Sequence, residues 1–371
     1  MWQLFLHLPD AYLIGVLVWL SLLAVSLCGL VQLRRRCKAR PERLRAVHLG
    51  LSLWLVSSLL TGIELGFALL YDTTDSFDMT NVSHRWFEVH VQPDLKPLEF
   101  RDGTGIEYRN DVAFPASTSR DRRHLCFLGD SFTFGHGVPR VGNRFTNQLS
   151  LRLEQDSATS GQFVVSNLSK PGSDLLWGEE VLKHLFADGQ QLDAAVYVVC
   201  LNDIEAFHRR FMDFNREVED LRNKPSFFLW RDTYFFNWAY FRGVLLSRSD
   251  VRNYYDFVRD YYASEPWPRY VTALDRMAGL CRENSTRPCV VIFPFLHNLG
   301  PDYPFASIHQ QIANACQERD IVCVDLLSAL SARRQEGLTV NPFDAHPNER
   351  AHAIAAEELQ RVLVPVLTAK P

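Results

Sequence analysis

Four short blocks of this sequence hold residue types that carry out acyl chemistry when they meet. The first is Leu128-Gly129-Asp130-Ser131-Phe132, a serine behind a Gly-Asp turn. A serine hydroxyl is a weak nucleophile, and it works only beside a base and near donors placed where an oxyanion develops. Gly129 and Asp130 read as support for the turn that presents Ser131. The second block, Ser169-Lys170-Pro171-Gly172-Ser173-Asp174, offers the backbone N–H of Gly172, unobstructed by a side chain. The third, Cys200-Leu201-Asn202-Asp203, offers the side-chain amide of Asn202 as a further donor. The fourth, Asp344-Ala345-His346-Pro347, supplies a base in His346. An imidazole with an ordinary pKa of about 6.5 takes and returns a proton near neutrality. Asp344, two residues earlier, is the carboxylate that would hold one imidazole tautomer.

The first three blocks each follow a short apolar run: His124–Leu128, Phe163–Leu168 and Ala194–Cys200. Cys289–Phe293 and Ile321–Leu326 are two more such runs, and helical stretches such as Asn143–Leu153 and Leu175–Phe186 separate them. Uninterrupted apolar strands alternating with helices predict a parallel sheet covered on both faces, a three-layer α/β/α sandwich. Ligands of such sheets bind outside the carboxyl ends of the strands, where these blocks fall.

In this order the blocks resemble the SGNH/GDSL hydrolase superfamily, named for a Ser, a Gly, an Asn and a His that match Ser131, Gly172, Asn202 and His346. The resemblance covers about residues 121 to 368. It implies a flavodoxin-like fold, Ser131 as nucleophile, and an oxyanion hole formed by the Ser131 N–H, the Gly172 N–H and the Asn202 amide. It further implies no metal or other cofactor, with hydrolysis or transfer of an ester-linked acyl group as the activity. Three departures stand out: Phe132 where the family often has Leu, Cys200 where it usually has Gly, and D-x-H in place of D-x-x-H. The G-x-S-x-G elbow of the α/β-hydrolases is absent from the sequence.

Ahead of this region lie two apolar runs, Tyr12 to Leu33 and about Val47 to Tyr71, each long enough to cross ~30 Å of hydrocarbon as a helix. The first lacks the basic start and small-residue cleavage site of a signal peptide. Between the runs, Arg34, Arg35, Arg36, Lys38, Arg40, Arg43 and Arg45 crowd one connection, which the positive-inside rule places in the cytoplasm. The remainder of the chain is then expected on the periplasmic or extracellular side. Glu64 lies within the second run, where a carboxylate is costly and either finds a partner or snorkels.

The expected organisation is therefore a two-span anchor over 1–72 with a basic loop at 34–45, a connecting segment over 73–120 and a hydrolase domain over 121–371. In the connecting segment Trp86, Phe87, Val89 and Val91 alternate in the manner of a strand. An insertion at about 205–270, crowded with aromatics including Phe211, Phe214, Trp230 and Tyr254, reads as a helical cap over the site or, alternatively, as a surface docking on the bilayer. A net charge of -4 gives no argument for a nucleic-acid partner. The eight cysteines show no C-x-x-C spacing; Cys281 with Cys289 and Cys316 with Cys323 either close short loops or pack as small hydrophobes. Of the other histidines, His136 close after Ser131 either lines the site or just forms a loop, His352 reads as structural, and His297 reads at most as a substrate contact.

Three functions compete on these residues. The first is an esterase acting on a small-molecule or glycan ester of the cell envelope, or on a lipid. The second is an O-acyltransferase that passes the acyl group to an envelope polysaccharide, served by a membrane acyltransferase partner. The third is a non-catalytic binding module on the same fold.

Overall fold

The computed structural model describes residues 2–38, 40–115, 121–208, 219–223, 225–249 and 253–368. Phe211 and Phe214 lie outside the described residues. The chain forms two compact units: Met1–Thr73, Phe77–Val89 and Asp220–Arg248 make up one, and Thr74–Ser76, His90–Glu219 and Ser249–Pro371 the other.

The second unit opens with an antiparallel hairpin, β1 (Leu95–Glu99) and β2 (Gly105–Arg109). Its centre is a five-stranded parallel sheet of β3 (Arg123–Gly129), β4 (Phe163–Asn167), β5 (Ala194–Cys200), β6 (Arg287–Phe293) and β7 (Val322–Asp325), in the order β4-β3-β5-β6-β7. Every residue of β5 is buried, which explains why the run Ala194–Cys200 carries no polar alternation. Helices cover both faces. Phe127 meets Phe145 of the helix Phe145–Gln155 at 5.6 Å between ring centroids, whereas its neighbour Leu128 points toward Gly178 of the helix Leu175–Ala187. Adjacent strand residues face opposite ways, so these two helices lie on opposite sides of the sheet. The helix Glu349–Thr368 packs on the first of them, and Pro266–Glu283 on the second. This is the three-layer sandwich expected from the sequence.

The chain leaves β3 in one direction to form β4 and crosses back to form β5, so the topological switch point lies between β3 and β5. Crevices that hold ligands open at such points. Ser131 follows β3 and Asn202 follows β5. A last small hairpin, β8 (Thr339–Asn341) with β9 (Asp344–Pro347), carries the fourth block. All eight cysteines are free thiols, and Cys281, Cys289 and Cys316 are buried among apolar neighbours.

The first unit holds two helices long and apolar enough to cross a membrane, Asp10–Arg36 and Pro41–Leu69. The basic stretch between them is mostly helical: Arg34 to Arg36 form the last turn of one helix, Arg43 and Arg45 belong to the next, and only 37–40 intervene. Residues 86–90, expected to be strand-like, are helical instead, in Asn81–His90. Its buried residues Val82, Ser83, Arg85 and Trp86 follow a helical spacing that overlaps the alternation of Trp86, Phe87, Val89 and Val91. Among the described residues the aromatic stretch is divided: Asp220–Arg248 clusters with the two long helices, and the helix Tyr254–Tyr262 belongs to the sandwich.

Glu64 has its partners within this first unit. Its Oε1 accepts from the Tyr12 hydroxyl at 3.0 Å and the Tyr234 N–H at 2.7 Å, and its Oε2 from the Phe235 N–H at 2.8 Å. A carboxylate thus caps the helix Phe235–Ser247, where unpaired N–H groups and the helix dipole favour negative charge. Arg85 makes the converse contact, donating to the carbonyls of Phe67, Ala68 and Tyr71 at the end of Pro41–Leu69.

Candidate active site

The site begins with a glycine. Gly129 ends β3 at φ 156°, where a Cβ would stand 2.4 Å from Thr133 Oγ1 and 2.9 Å from the Val198 carbonyl oxygen. A side chain would collide with the backbone of the neighbouring strand, so only glycine lets β3 end this close to β5. Asp130 then caps the short helix Ser131–Phe134 by accepting from the Phe132 N–H at 2.9 Å. Ser131 is thereby the first residue of that helix, half-buried at the carboxyl edge of the sheet.

Ser131 Oγ lies 2.8 Å from His346 Nε2, and His346 Nδ1 lies 2.6 Å from Asp344 Oδ1. Asp130 Oδ2 is farther from the hydroxyl, at 3.5 Å. A hydroxyl has one proton to give, and the shorter contact directs it to the imidazole. Asp344 Oδ2 accepts from the hydroxyl of Thr74. The segment Thr74–Ser76 is stitched to the hairpin further: Asn341 Nδ2 donates to the Thr74 carbonyl at 3.0 Å, and the Ala345 N–H donates to Ser76 Oγ at 3.0 Å.

The electrostatics agree with this order of contacts. Burial alone would raise the carboxyl of Asp344, but His346 beside it, then His136 and the Thr74 hydroxyl, hold it well below the ordinary range. Burial opposes charge on His346, yet Asp344, followed by Asp130 and Asp75, keeps the imidazole above its usual value. Asp130, buried under the turn, is pushed up to about 6.

Gly172 and Asn202 reach the same edge by separate routes. The loop after β4 is fixed on Gly129, whose carbonyl accepts from the Lys170 N–H at 3.1 Å and from Ser173 Oγ at 2.7 Å. Gly172 sits in that loop at φ 71°, a left-handed conformation natural to glycine. Asn202 stands in the 3₁₀ turn Leu201–Phe207 directly after β5, with its amide oxygen buried and without a hydrogen-bond partner. The side-chain contacts of Ser131 run to His346 and Asp130; the loop of Gly172 is tied to Gly129, and Asn202 follows β5, which pairs with β3.

Several residues that shape the site carried no motif. Thr74 lies far from Asp344 in sequence and belongs to no recognisable block. His136, expected either to line the site or to form a loop, is buried with Nε2 3.8 Å from Asp344 Oδ2 and its ring 4.3 Å from that of His346. Arg109 and Arg144 are fully buried and hold the loop after the nucleophile: Arg109 donates to the carbonyls of Gly135, Val138 and Pro139, and Arg144 to that of Phe134. Among the other expected histidines, His352 accepts from the Phe145 N–H in the core, and His297 stacks on Tyr255 at 3.8 Å.

His136, Asp344 and His346 bring three potential metal-ligand atoms within 4.8 Å of one another. Both ring nitrogens of His346 are already engaged, one by Asp344 and one by Ser131, so ligation would have to break one of those contacts. The arrangement is better matched to proton transfer at a serine.

A doubly covered parallel sheet with a serine, a histidine and an aspartate hydrogen-bonded in series at its carboxyl edge defines a hydrolase-type α/β sandwich. Residues 127–354, more than half of the 371-residue chain, match the GDSL-like Lipase/Acylhydrolase family, and the chain belongs to that family. Comparison with curated proteins gives no significant match. Among solved structures, the chain is similar to TesA, with 16% identity and a TM-score of 0.41 over 66% of this chain and 99% of that one. A catalytic mutant of an acetylxylan esterase from Geobacillus stearothermophilus is similar at 12% identity and a TM-score of 0.40, over 67% of this chain and 95% of that one. The psychrotrophic esterase EstA from Pseudoalteromonas sp. is similar at 14% identity and a TM-score of 0.38, over 67% and 100%.

Proposed function

We propose that this protein is a serine esterase that hydrolyses an ester-linked acyl group on an envelope glycan or lipid through an acyl-Ser131 intermediate. The observation that carries the reading is the unbroken series Asp344–His346–Ser131, with contacts of 2.6 and 2.8 Å. Asp344 accepts from the Nδ1–H of His346, which leaves Nε2 unprotonated and facing Ser131. Ser131 Oγ attacks the ester carbonyl as His346 takes its proton. The oxyanion is received by the N–H groups of Ser131 and Gly172 and the amide of Asn202. Collapse breaks the ester C–O bond, and His346 returns the proton to the departing alcohol. A water deprotonated by His346 then attacks the acyl-Ser131 carbonyl, collapse breaks the acyl C–Oγ bond, and His346 returns the proton to Ser131 Oγ as the acid leaves.

We place the catalytic unit outside the cytoplasm, because the basic residues Arg34 to Arg45 mark the opposite ends of the two long helices as cytoplasmic. The test is p-nitrophenyl acetate turnover by the full chain in detergent, wild type beside Ser131→Ala and His346→Ala. The expected result is turnover lost in both variants with folding retained. Turnover retained in a folded Ser131→Ala variant overturns the assignment of the nucleophile. A folded wild type that releases no acetate to water but transfers it to an added glycan would make the protein an O-acyltransferase.

A further inference from the structure

A cavity of about 710 Å³ lies wholly within the first unit, well inside the ~300–1,000 Å³ range of small-ligand sites. One wall is the helix Asp10–Arg36, through Tyr12, Gly15, Val16, Trp19 and Leu22, and Leu60 of Pro41–Leu69 faces it. The cavity is graded along its length. The walls supplied by the two long helices are mainly apolar, while the end formed by the segments beyond them carries Glu88, His84, whose Nε2 meets the Asp78 carbonyl, and the ion pair of Arg231 with Asp232. Its one carboxylate among the helices, Glu64, is taken up by Tyr12 and two backbone N–H groups and presents no unpaired charge to an occupant. Trp19 is fixed in the wall by donating from Nε1 to Thr61 Oγ1 at 2.9 Å.

The cavity wall is continuous with the surface that the helices would turn toward lipid. Val18, Trp19 and Leu22 line it while 55%, 45% and 56% exposed, respectively. From Pro9 to Leu22 the chain rises about 20 Å at ~1.5 Å per residue, about two-thirds of the ~30 Å hydrocarbon core. A site that is apolar over one leaflet's depth, charged at the interfacial end and open sideways to the bilayer has the shape of an amphiphile of that leaflet.

We infer that this cavity is a lipid-binding site that takes one acyl chain of a phospholipid between the two long helices, with the headgroup at His84, Glu88 and Arg231. The inference rests on the reading of Asp10–Arg36 and Pro41–Leu69 as membrane spans. Gly15 provides the probe. It lines the cavity, and a Cβ added there meets nothing within 4 Å, so Gly15→Phe fills the space without a collision at the backbone. Gly29 on the same helix is equally open and lies outside the lining residues, which makes Gly29→Phe the control. Gly15→Met is a milder filler for the case in which phenylalanine disturbs the helix pair.

The experiment reconstitutes the full chain in phosphatidylethanolamine vesicles doped with phosphatidylethanolamine bearing a photoactivatable diazirine on one acyl chain, followed by peptide mapping of the labelled sites. Labelling is expected to concentrate several-fold on Val16 and Leu60 over the exposed Ile14, Leu17 and Leu53. It should fall several-fold in Gly15→Phe and Gly15→Met and stay unchanged in Gly29→Phe. Even labelling of cavity and exposed positions, unaffected by the fillers, overturns the binding site and leaves the spans standing. Absence of label from both helices overturns the spans and the site together.

Discussion

One carboxylate oxygen of Asp344, Oδ1, accepts both the main-chain N–H of His346 at 3.0 Å and its Nδ1–H at 2.6 Å. A D-x-H spacing thus lets the carboxylate reach the imidazole that the family pattern approaches from D-x-x-H. The carboxylate folds back over a single intervening residue, and the strand end and the imidazole share its oxygen. Oδ2 is left for Thr74. Such a pair fixes the tautomer and stabilises the imidazolium formed during attack.

The pH dependence follows from the sign of the His346 shift. A general base must be unprotonated, and burial notwithstanding, Asp344, Asp130 and Asp75 hold this imidazole above the ordinary value of about 6.5. Turnover should therefore rise with pH through a midpoint above that value. Asp344→Asn removes the strongest raising influence and leaves burial, which lowers the pKa, so the midpoint should move down. The same variant should lose on the order of 10⁴-fold in kcat, because the imidazole is no longer held in the required tautomer. A kcat–pH profile of the two proteins checks both parts, and an unmoved midpoint counts against Asp344 as the partner.

Thr74 tests whether the segment preceding the sandwich supports the reaction. Its hydroxyl gives a hydrogen bond to an ionised carboxylate, a contact worth about 1.5–3 kcal/mol. Thr74→Val should lower kcat by about ten-fold or more while KM changes little, since the hydroxyl orients Asp344 and touches no substrate. Thr74→Ser should restore the rate. Equal loss in both variants would assign Thr74 to packing.

Much of this site was legible before the structure because its parts are local. Gly129, Asp130 and Ser131 form one turn, and Asn202 needs only the end of a buried strand to be placed. Apolar runs such as Ala194–Cys200 mark parallel strands because both faces are covered. What escaped depends on chain segments meeting at a distance. Thr74 meets Asp344, and Arg109 the Gly135 carbonyl, only through the fold, and neither Thr74 nor Arg109 carries a motif. Buried arginines bonded to carbonyls look like surface charge in a sequence, since the backbone oxygens that accept from them leave no trace in it. The helix Asn81–His90 was missed for a related reason: the Trp86, Phe87, Val89 and Val91 alternation overlaps a helical pattern that begins at Val82.

Gly129→Ala probes the turn itself. The added methyl would meet the Val198 carbonyl at 2.9 Å, and the residue would be forced to hold φ 156°. A strained backbone of this kind costs about 1–3 kcal/mol before any packing penalty. Urea unfolding of the variant should show a lower midpoint with the slope unchanged, accompanied by lost turnover as Ser131 shifts. A midpoint equal to wild type would mean that β3 has room to end elsewhere.

Glu64 offers the corresponding test in the first unit. Its two oxygens satisfy the Tyr234 and Phe235 N–H groups that open the helix Phe235–Ser247. Glu64→Ala removes both acceptors, and each buried donor left unmade costs about 1–3 kcal/mol. Part of that cost falls on the docking of residues 228–247 against the long helices, so the open population of this segment should rise roughly ten-fold or more. Limited proteolysis of the full chain in detergent reads that population when reclosing is faster than cleavage. Cleavage within 228–247 should accelerate in Glu64→Ala. Glu64→Gln should fall between the two, because its amide keeps one acceptor oxygen but turns an NH₂ toward a backbone donor. A cleavage rate identical to wild type in both variants would show that the cap does not hold the segment in place, and the reason for a carboxylate in the second helix would have to be sought outside this chain.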